Sequence, residues 1–235
     1  LVALGHPPLG AAEIPNYDRE VVTPPMPAEV DDVGLRLSPN PELMQALDPD
    51  LILINAAQEY MRSSLADFAP VETIAIYADI GQPYRLSCEA ASLLAERSGD
   101  PAAAKRLLAE ADAVMAASRA KLKSYDGRPL YVIEFEDGRH VGVAGRTGLF
   151  QGVLDQLGLR NAWAGEGGSW GVGYIGIEDL LSDVEARIVY MTPLPEEAKR
   201  TIAESALWRR LPPVRARRVT ALPPIWAYGA LPSAI

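Results

Sequence analysis

Apolar positions along this chain fall into two kinds of run: short strand-like ones, and longer ones recurring at three- and four-residue steps as on one helix face. The two kinds alternate, which predicts an α/β protein. Residues 32–36 read as a short strand, followed by Ser38-Pro39-Asn40 and a helix over 41–46. The run LILIN at 51–55 is nearly continuous, as expected of a strand covered on both faces. A helix at 62–68 and a strand at 71–77 come next, and the lack of hairpin signals favours parallel pairing. The middle is helical. Residues 84–97 predict one helix, broken at 98–100, and a second opens with Asp100 as N-cap and Pro101 in the first turn. Along it Leu107, Leu108, Ala111, Val114, Met115, Ser118 and Leu122 recur at helical spacing. Running over 101–124, it would be about 35 Å long at 1.5 Å per residue, enough for a stiff strut between two lobes.

Beyond it a second α/β unit begins. Strands at 130–135 and 139–143 flank Asp137-Gly138, a hairpin signal. A helix at 149–157, a glycine-rich loop, a short helix at 178–181, a strand at 186–190, a helix at 196–204 and a strand at 218–221 follow. No repeat or low-complexity tract interrupts the order. The expected organisation is two α/β lobes joined by a single long helix: an N-terminal lobe at 1–100, a strut at 101–126 and a C-terminal lobe at 127–235.

Composition narrows the function classes. With 49% apolar residues, 23% charged and a net charge of −9, the chain of 235 residues has the make-up of a soluble globular protein. It lacks the basic face that a nucleic-acid binder needs to displace counterions. The one basic cluster, Arg209, Arg210, Arg215, Arg217 and Arg218, is broken by Leu211-Pro212-Pro213 and reads as solvated surface. Cys88 is the only cysteine, so an intrachain disulfide is impossible, and it reads as a small apolar residue on a helix face. No apolar run approaches the ~20 residues that span a bilayer.

Catalytic and metal chemistry find little support. His6 and His140 are the only histidines, and neither has a neighbouring His, Cys or Glu at metal-ligand spacing. His140 reads as a residue beside a surface hairpin. The segment 165–171, GEGGSWG, lacks the GK[ST] ending of a phosphate loop and the strand–GxGxxG–helix context of a dinucleotide site. It reads instead as a loop carrying an aromatic ring. Trp170 sits among glycines, and Trp226 and Tyr228 follow Pro223-Pro224. Rings placed beside Gly and Pro suit the wall of a cleft better than a regular core face.

These residues carry a resemblance. Asp32-Val33-Gly34-Leu35-Arg36, Pro39-Asn40-Pro41-Glu42-Leu43 and Asp48-Pro49-Asp50-Leu51-Ile52-Leu53 resemble the first lobe of periplasmic siderophore-binding proteins. Gly145, Leu149-Phe150-Gln151, Leu154-Asp155, Gly158, Asn161-Ala162-Trp163, Gly165-Glu166 and Trp170-Gly171 resemble the second lobe of the ferric-hydroxamate branch. So does the ending from Leu222-Pro223-Pro224 through Trp226, Tyr228 and Ala230. The match runs in order over essentially the whole chain.

The resemblance implies a siderophore-binding-protein (chelatase-like) fold, with little hinging between the lobes and the ligand in a shallow cleft between them. The ligand would be an iron(III)–siderophore complex, handed to an inner-membrane ABC permease for iron transport. It implies a binding protein with no cofactor, monomeric, periplasmic or lipid-anchored on the outer face of the cytoplasmic membrane. Arg36 stands where the family's arginine reaches the hydroxamate oxygens, and Trp170, Trp226 and Tyr228 match pocket aromatics. The first-lobe pocket tyrosine falls on Gln58, with Tyr60 two residues on, and Glu20 replaces a further pocket tryptophan. Glu59, Asp67 and Asp155 are candidates for permease docking.

Within the same fold, a catecholate siderophore, haem or cobalamin are alternative ligands. Catecholate complexes are highly anionic and usually call for several basic pocket residues, whereas here Arg36, with Arg146 as a second candidate, suits a nearly neutral hydroxamate complex. A nucleotide-dependent α/β enzyme is the alternative of another class. The family order also implies sequence before Leu1, including an interior strand of the first sheet, and a helix continuing after Ile235.

Overall fold

The structure, a computed structural model, describes residues 1–21, 23–77 and 81–235. Its first half is assembled from short pieces. Strand β1 (Gly10–Ala11) leads into helix α1 (Ile14–Glu20) and pairs in parallel with β2 (Asp31–Asp32). β3 (Gly34–Leu35) and β4 (Ser38–Pro39) then form a small antiparallel pair. The single strand expected at 32–36 is therefore split. The Asp32 carboxylate accepts from the Gly34 N–H, and Gly34 takes φ +90°, which closes a turn where an extended run was expected.

Helix α2 (Pro41–Leu47) starts as its sequence dictates, with the Asn40 side chain accepting from the Glu42 and Leu43 N–H groups and proline in the first turn. β5 (Ile52–Ile54) runs through α3 (Arg62–Leu65) to β6 (Val71–Thr73), and the two strands pair in parallel. β6 stops at Thr73, short of the expected 77. Among the described residues the β1/β2 and β5/β6 ladders are not hydrogen-bonded to each other and β5 has one strand neighbour; of its residues only Ile54 is buried. Coverage of 51–55 on both faces is not what the chain adopts. Val33, Met44, Ile54, Met61 and Leu65 form the core of this half.

Helices α4 (Pro83–Arg97) and α5 (Pro101–Lys121) pack together through small residues, with Ala91 and Ala95 in one cluster with Ala103, Ala104 and Ala111. Small side chains let the two axes approach closely. Asp100 caps α5, its carboxylate accepting from the Ala103 N–H. The helix spans about 31 Å and tightens into a 3₁₀ turn over Leu122–Ser124, where a continuous helix to 124 was expected. Its expected inner positions Leu107, Ala111 and Met115 are buried. α5 touches the turn Val2–Leu4 and also the helix at Leu149–Leu157, so it packs against both halves.

The second half is a five-stranded sheet in the order β11-β10-β7-β8-β9. β7 (Leu130–Phe135) and β8 (His140–Ala144) form the expected hairpin. Helix α6 (Leu149–Leu157) precedes β9 (Val172–Gly176), which closes the sheet antiparallel to β8. β10 (Arg187–Met191) lies parallel to β7. After α7 (Glu196–Glu204), α8 (Ala206–Arg210) and α9 (Pro212–Arg215), β11 (Val219–Leu222) adds in parallel to β10. Helix α10 (Leu231–Ala234) packs on α4.

β9 has no counterpart among the sequence expectations, because its glycines remove the alternation that marks a strand. Gly173 has a packing reason: a Cβ there would fall 2.0 Å from the Trp163 ring. The core is formed by fully buried Tyr131, Ile133, Val141, Val143, Ile188 and Leu211. No helix among the described residues is long and apolar enough to cross a membrane.

Ile188 sits in the central strand of the three parallel ones with no exposed surface. Ile188→Ala should lower unfolding free energy by about 2–5 kcal/mol, from lost burial and the cavity left behind. Denaturant titration measures this, and a loss below about 1 kcal/mol would place the stability elsewhere.

Candidate functional site

Residues from both halves line one cavity of about 1130 Å³. Arg36, Leu53, Asn55 and Tyr77 contribute from the first half, and Trp170, Trp226 and Tyr228 from the second. Four of its lining rings cluster together. Tyr228 is the hub, meeting Trp170 edge-on at 5.7 Å between centroids, Trp226 at 6.4 Å and Tyr77 at 6.4 Å. Tyr77 in turn lies 5.5 Å from Trp170. Edge-to-face contacts of this kind are favourable beyond the area they bury.

Each ring is held by its local chain. Trp226 and Tyr228 leave the end of β11 after Pro223-Pro224, which stops the strand and turns the chain toward the cavity. Trp170 ends a 3₁₀ turn bounded by Gly167 at φ +85° and Gly171 at φ +70°, backbone angles that favour glycine. Gly171 also lies against Gly148 so closely that an added Cβ would fall 2.0 Å from the Gly148 Cα. The Gly145 N–H donates to the Gly171 carbonyl at 2.8 Å. The Thr147 hydroxyl lies 2.6 Å from the Glu166 carbonyl and 2.8 Å from that of Gly168. Gly167 and Gly171 serve close backbone packing that seats an indole.

Tyr77 was not among the site residues expected from sequence. Its hydroxyl donates toward the Gly229 carbonyl at 2.6 Å, with the Ala227 carbonyl at 3.1 Å. These bonds join the segment after β6 to the loop after β11. Burial, then the nearby Tyr228 hydroxyl, raise its pKa above the ordinary tyrosine value. The only sequence signal was a ring ending the run VETIAIY, where it read as one more apolar strand position.

Arg36 reaches the cavity from the β3–β4 turn with half its side chain exposed. Glu13 holds it. Arg36 Nε donates to Glu13 Oε2 at 2.9 Å, Nη2 lies 2.6 Å from the same oxygen, and the Arg36 N–H donates to Oε1 at 3.3 Å. Hydrogen bonds from Arg36 and then Asn16 hold the Glu13 carboxyl down at about 2. Sequence reasoning had no means to pair residues so far apart.

The other expected site residues divide. Gln58 is not in the cavity lining: its Nε2 donates to the Arg36 carbonyl at 2.8 Å and its Oε1 accepts from the Asn55 N–H at 3.0 Å. Its amide thus braces the backbone behind Arg36, with both ends engaged. Tyr60 is 68% exposed and outside the cavity lining. The 3₁₀ turn Ala56–Met61 that carries both residues presents Asn55, Ala56 and Ala57 to the cavity in their place. Glu20 ends α1 beside Arg19, off the lining, with its charge felt at Arg36. Arg146 lies 3.8 Å from Glu166 and also off the lining.

Among the docking candidates, Glu59 pairs with Arg62 and accepts from the Thr73 hydroxyl, and Asp155 accepts from Gln151. His140 is exposed beside Asp137. Among the described residues no three His, Cys, Asp or Glu side chains gather as a metal ion would require. The cavity can surround a bulky, carbon-rich ligand and donate to its oxygens from one guanidinium.

Comparison with known proteins follows the same line. A family profile described as periplasmic binding protein matches residues 1–225. The iron(3+)-hydroxamate-binding protein FhuD of Escherichia coli K12 is 32% identical over 235 residues, which is 100% of this chain and 79% of that protein. The crystal structure of the siderophore-binding protein FhuD from Vibrio cholerae, bound to Fe3+–Desferal, superposes with a TM-score of 0.91 at 30% identity. That alignment covers 99% of this chain and 88% of the other. Staphylococcus aureus SirA complexed with staphyloferrin B shares the fold, with a TM-score of 0.67 at 23% identity, covering 99% of this chain and 84% of that one.

The Tyr77 clasp is testable by itself. Tyr77→Phe leaves the Gly229 carbonyl without its donor and should cost roughly 1–3 kcal/mol of stability. The raised pKa adds a pH signature. Its folded value lies above the unfolded value of 10.0, so the contribution is complete below pH 10 and is lost as pH rises through the folded value. Absorbance titration near 295 nm should find exposed tyrosines ionising first, with one late-titrating group missing in Tyr77→Phe. An unchanged titration in that variant would mean Tyr77 is not held as described.

Proposed function

The chain belongs to the periplasmic binding protein family, and on that premise we propose that it captures a ferric siderophore of the hydroxamate class and delivers it to an ABC permease. The observation that carries this reading is the meeting of Arg36 and the Trp170–Tyr228–Trp226 wall in one cavity, from opposite halves of the molecule. Ferric iron inside a hexadentate siderophore already has its oxygens, so the protein needs no iron ligands of its own. What remains to be recognised is an organic shell. Rings match its carbon surface, and a guanidinium fork donates to the iron-bound oxygens.

On this reading Arg36, Tyr77, Trp170, Trp226 and Tyr228 contact the ligand, and Gln58 positions Arg36 from behind. Tyr60 stands further out, where only a large ligand projecting from the cavity would reach it. The lobes are assigned to residues 1–100 and 127–235, with 101–126 as the strut. The helical strut favours binding with little hinge motion. The protein binds its ligand rather than transforming it, as a monomer without a cofactor. It works outside the cytoplasmic membrane, in the periplasm or anchored by lipid at the membrane's outer face. Permease docking falls to acidic side chains away from the cavity, with Asp67, Asp155 and Glu59 as the candidates.

Titration of intrinsic tryptophan fluorescence with a ferric trihydroxamate tests the assignment, because Trp170 and Trp226 line the cavity. Saturable quenching is expected, with the iron-free chelator binding more weakly. Arg36→Ala should lower affinity by about one to two decades, corresponding to roughly 1.5–3 kcal/mol for a lost charge-assisted donor. It also leaves the Glu13 carboxylate bare beside the ligand. Arg36→Lys should restore only part of the loss, since an ammonium cannot present the fork. Wild-type affinity in Arg36→Ala would remove Arg36 from the site.

A further inference from the structure

Arg36 is the only charged side chain among the described residues lining the cavity. Left alone, one guanidinium at an aromatic-walled recess would draw in anions, because nothing of opposite charge on the lining would offset it. It is not left alone. The carboxylate of Glu13 takes its Nε and Nη2 groups, and Asn16 Nδ2 donates to that carboxylate at 3.0 Å. The Glu13 N–H donates to the Gly34 carbonyl at 2.9 Å, tying α1 to the turn that carries Arg36. Glu13 itself takes φ +57°, a backbone conformation that residues with a Cβ seldom adopt. Nothing about that backbone angle calls for glutamate; its side chain is what reaches Arg36.

Further carboxylates lie close by. Glu20 acts electrostatically on Arg36 from the end of α1 and on Glu134 at the end of β7. Burial, then the charges of Glu136 and Glu20, raise the Glu134 carboxyl above its ordinary range. Glu134 and Glu136 also act on Tyr228, inside the cavity wall. The one charged side chain among the described lining residues is thus paired with Glu13, and Glu20, itself beside Arg19, adds a further carboxylate near it.

We propose that Glu13 is a specificity-determining residue, which cancels the charge of Arg36 and so tunes the cavity for uncharged or cationic ferric complexes against anionic ones. This rests on the reading of the cavity as a ferric-siderophore site and names the charge class that site accepts. Arg36 Nη1 has no acceptor among the described residues and remains a donor for a ligand oxygen. The guanidinium therefore gives direction without net attraction for negative charge. An anionic complex meets acidic groups and loses its own hydration, so discrimination comes from the repulsive element as much as from the attractive one.

The test compares affinities for three ferric complexes: uncharged ferrichrome, cationic ferrioxamine B and highly anionic ferric enterobactin. Wild type should bind the first two and reject the third. Glu13→Gln, close in shape but uncharged, should move the ratio of anionic to uncharged affinity toward the anion by about tenfold or more. Glu13→Asp keeps the charge and should stay near the wild-type ratio. Glu20→Gln, which acts on Arg36 only through space, should move the ratio the same way by less.

A purely structural role for Glu13 would weaken all three complexes alike, and that outcome overturns the proposal. So does an unmoved ratio in both Glu13→Gln and Glu20→Gln while wild type binds ferrichrome. If Glu13→Gln does not fold by circular dichroism, the Glu20→Gln ratio decides. Wild type that binds none of the three complexes would refute the siderophore reading itself.

Discussion

One hydroxyl holds the two faces of the cavity in register. Tyr77, at the end of the segment after β6, donates into the turn after β11 at the Gly229 and Ala227 carbonyls. Tyr228 lies inside that turn and meets the rings of Tyr77, Trp170 and Trp226. A carbonyl in this place must find a donor, since an unpaired buried acceptor is costly. Satisfying it from the opposite half sets how far apart the two walls stand. The rest of the site depends on that join: the rings pack on Tyr228, and Arg36 lines the same cavity.

Rigidity elsewhere serves the same end. The loop bearing Trp170 is pinned by backbone contacts that tolerate no side chain, as where Gly171 meets Gly148. Arg36 is fixed at three places: its guanidinium and its N–H by Glu13, and its carbonyl by Gln58. Helix α5, packed on α4 through alanines and touching both halves, gives the molecule a stiff spine in place of a loose linker. Ordering these groups in advance lowers the entropy that a ligand must overcome on binding.

Much of this was legible in the sequence where a local rule governed it. Asn40 before Pro41 and Asp100 before Pro101 announced helix starts that the structure places there. Asp137-Gly138 announced the β7–β8 hairpin, and rings beside Gly and Pro pointed to Trp170, Trp226 and Tyr228. What stayed hidden depended on distance. Glu13 and Arg36 meet only after α1 folds against the β3–β4 turn, and Tyr77 is distinguished from a core tyrosine only by carbonyls of a remote segment. β9 was invisible because its glycines make room for the Trp163 ring and so erase the apolar alternation. Gln58 carries a role that its sequence position did not announce. Its position suggested a ligand contact, yet a capping box at Asn55 engages its amide in the backbone.

The central claim is that iron arrives in this cavity already wrapped in its chelator and touches no protein atom. Anomalous diffraction at the iron absorption edge, from crystals grown with a ferric trihydroxamate, locates the metal directly. One iron peak is expected inside the cavity, between Arg36 and the rings of Trp170 and Tyr228, with the chelator's oxygens alone around the metal. Iron bound to protein carboxylates, or found only outside the cavity, would contradict it.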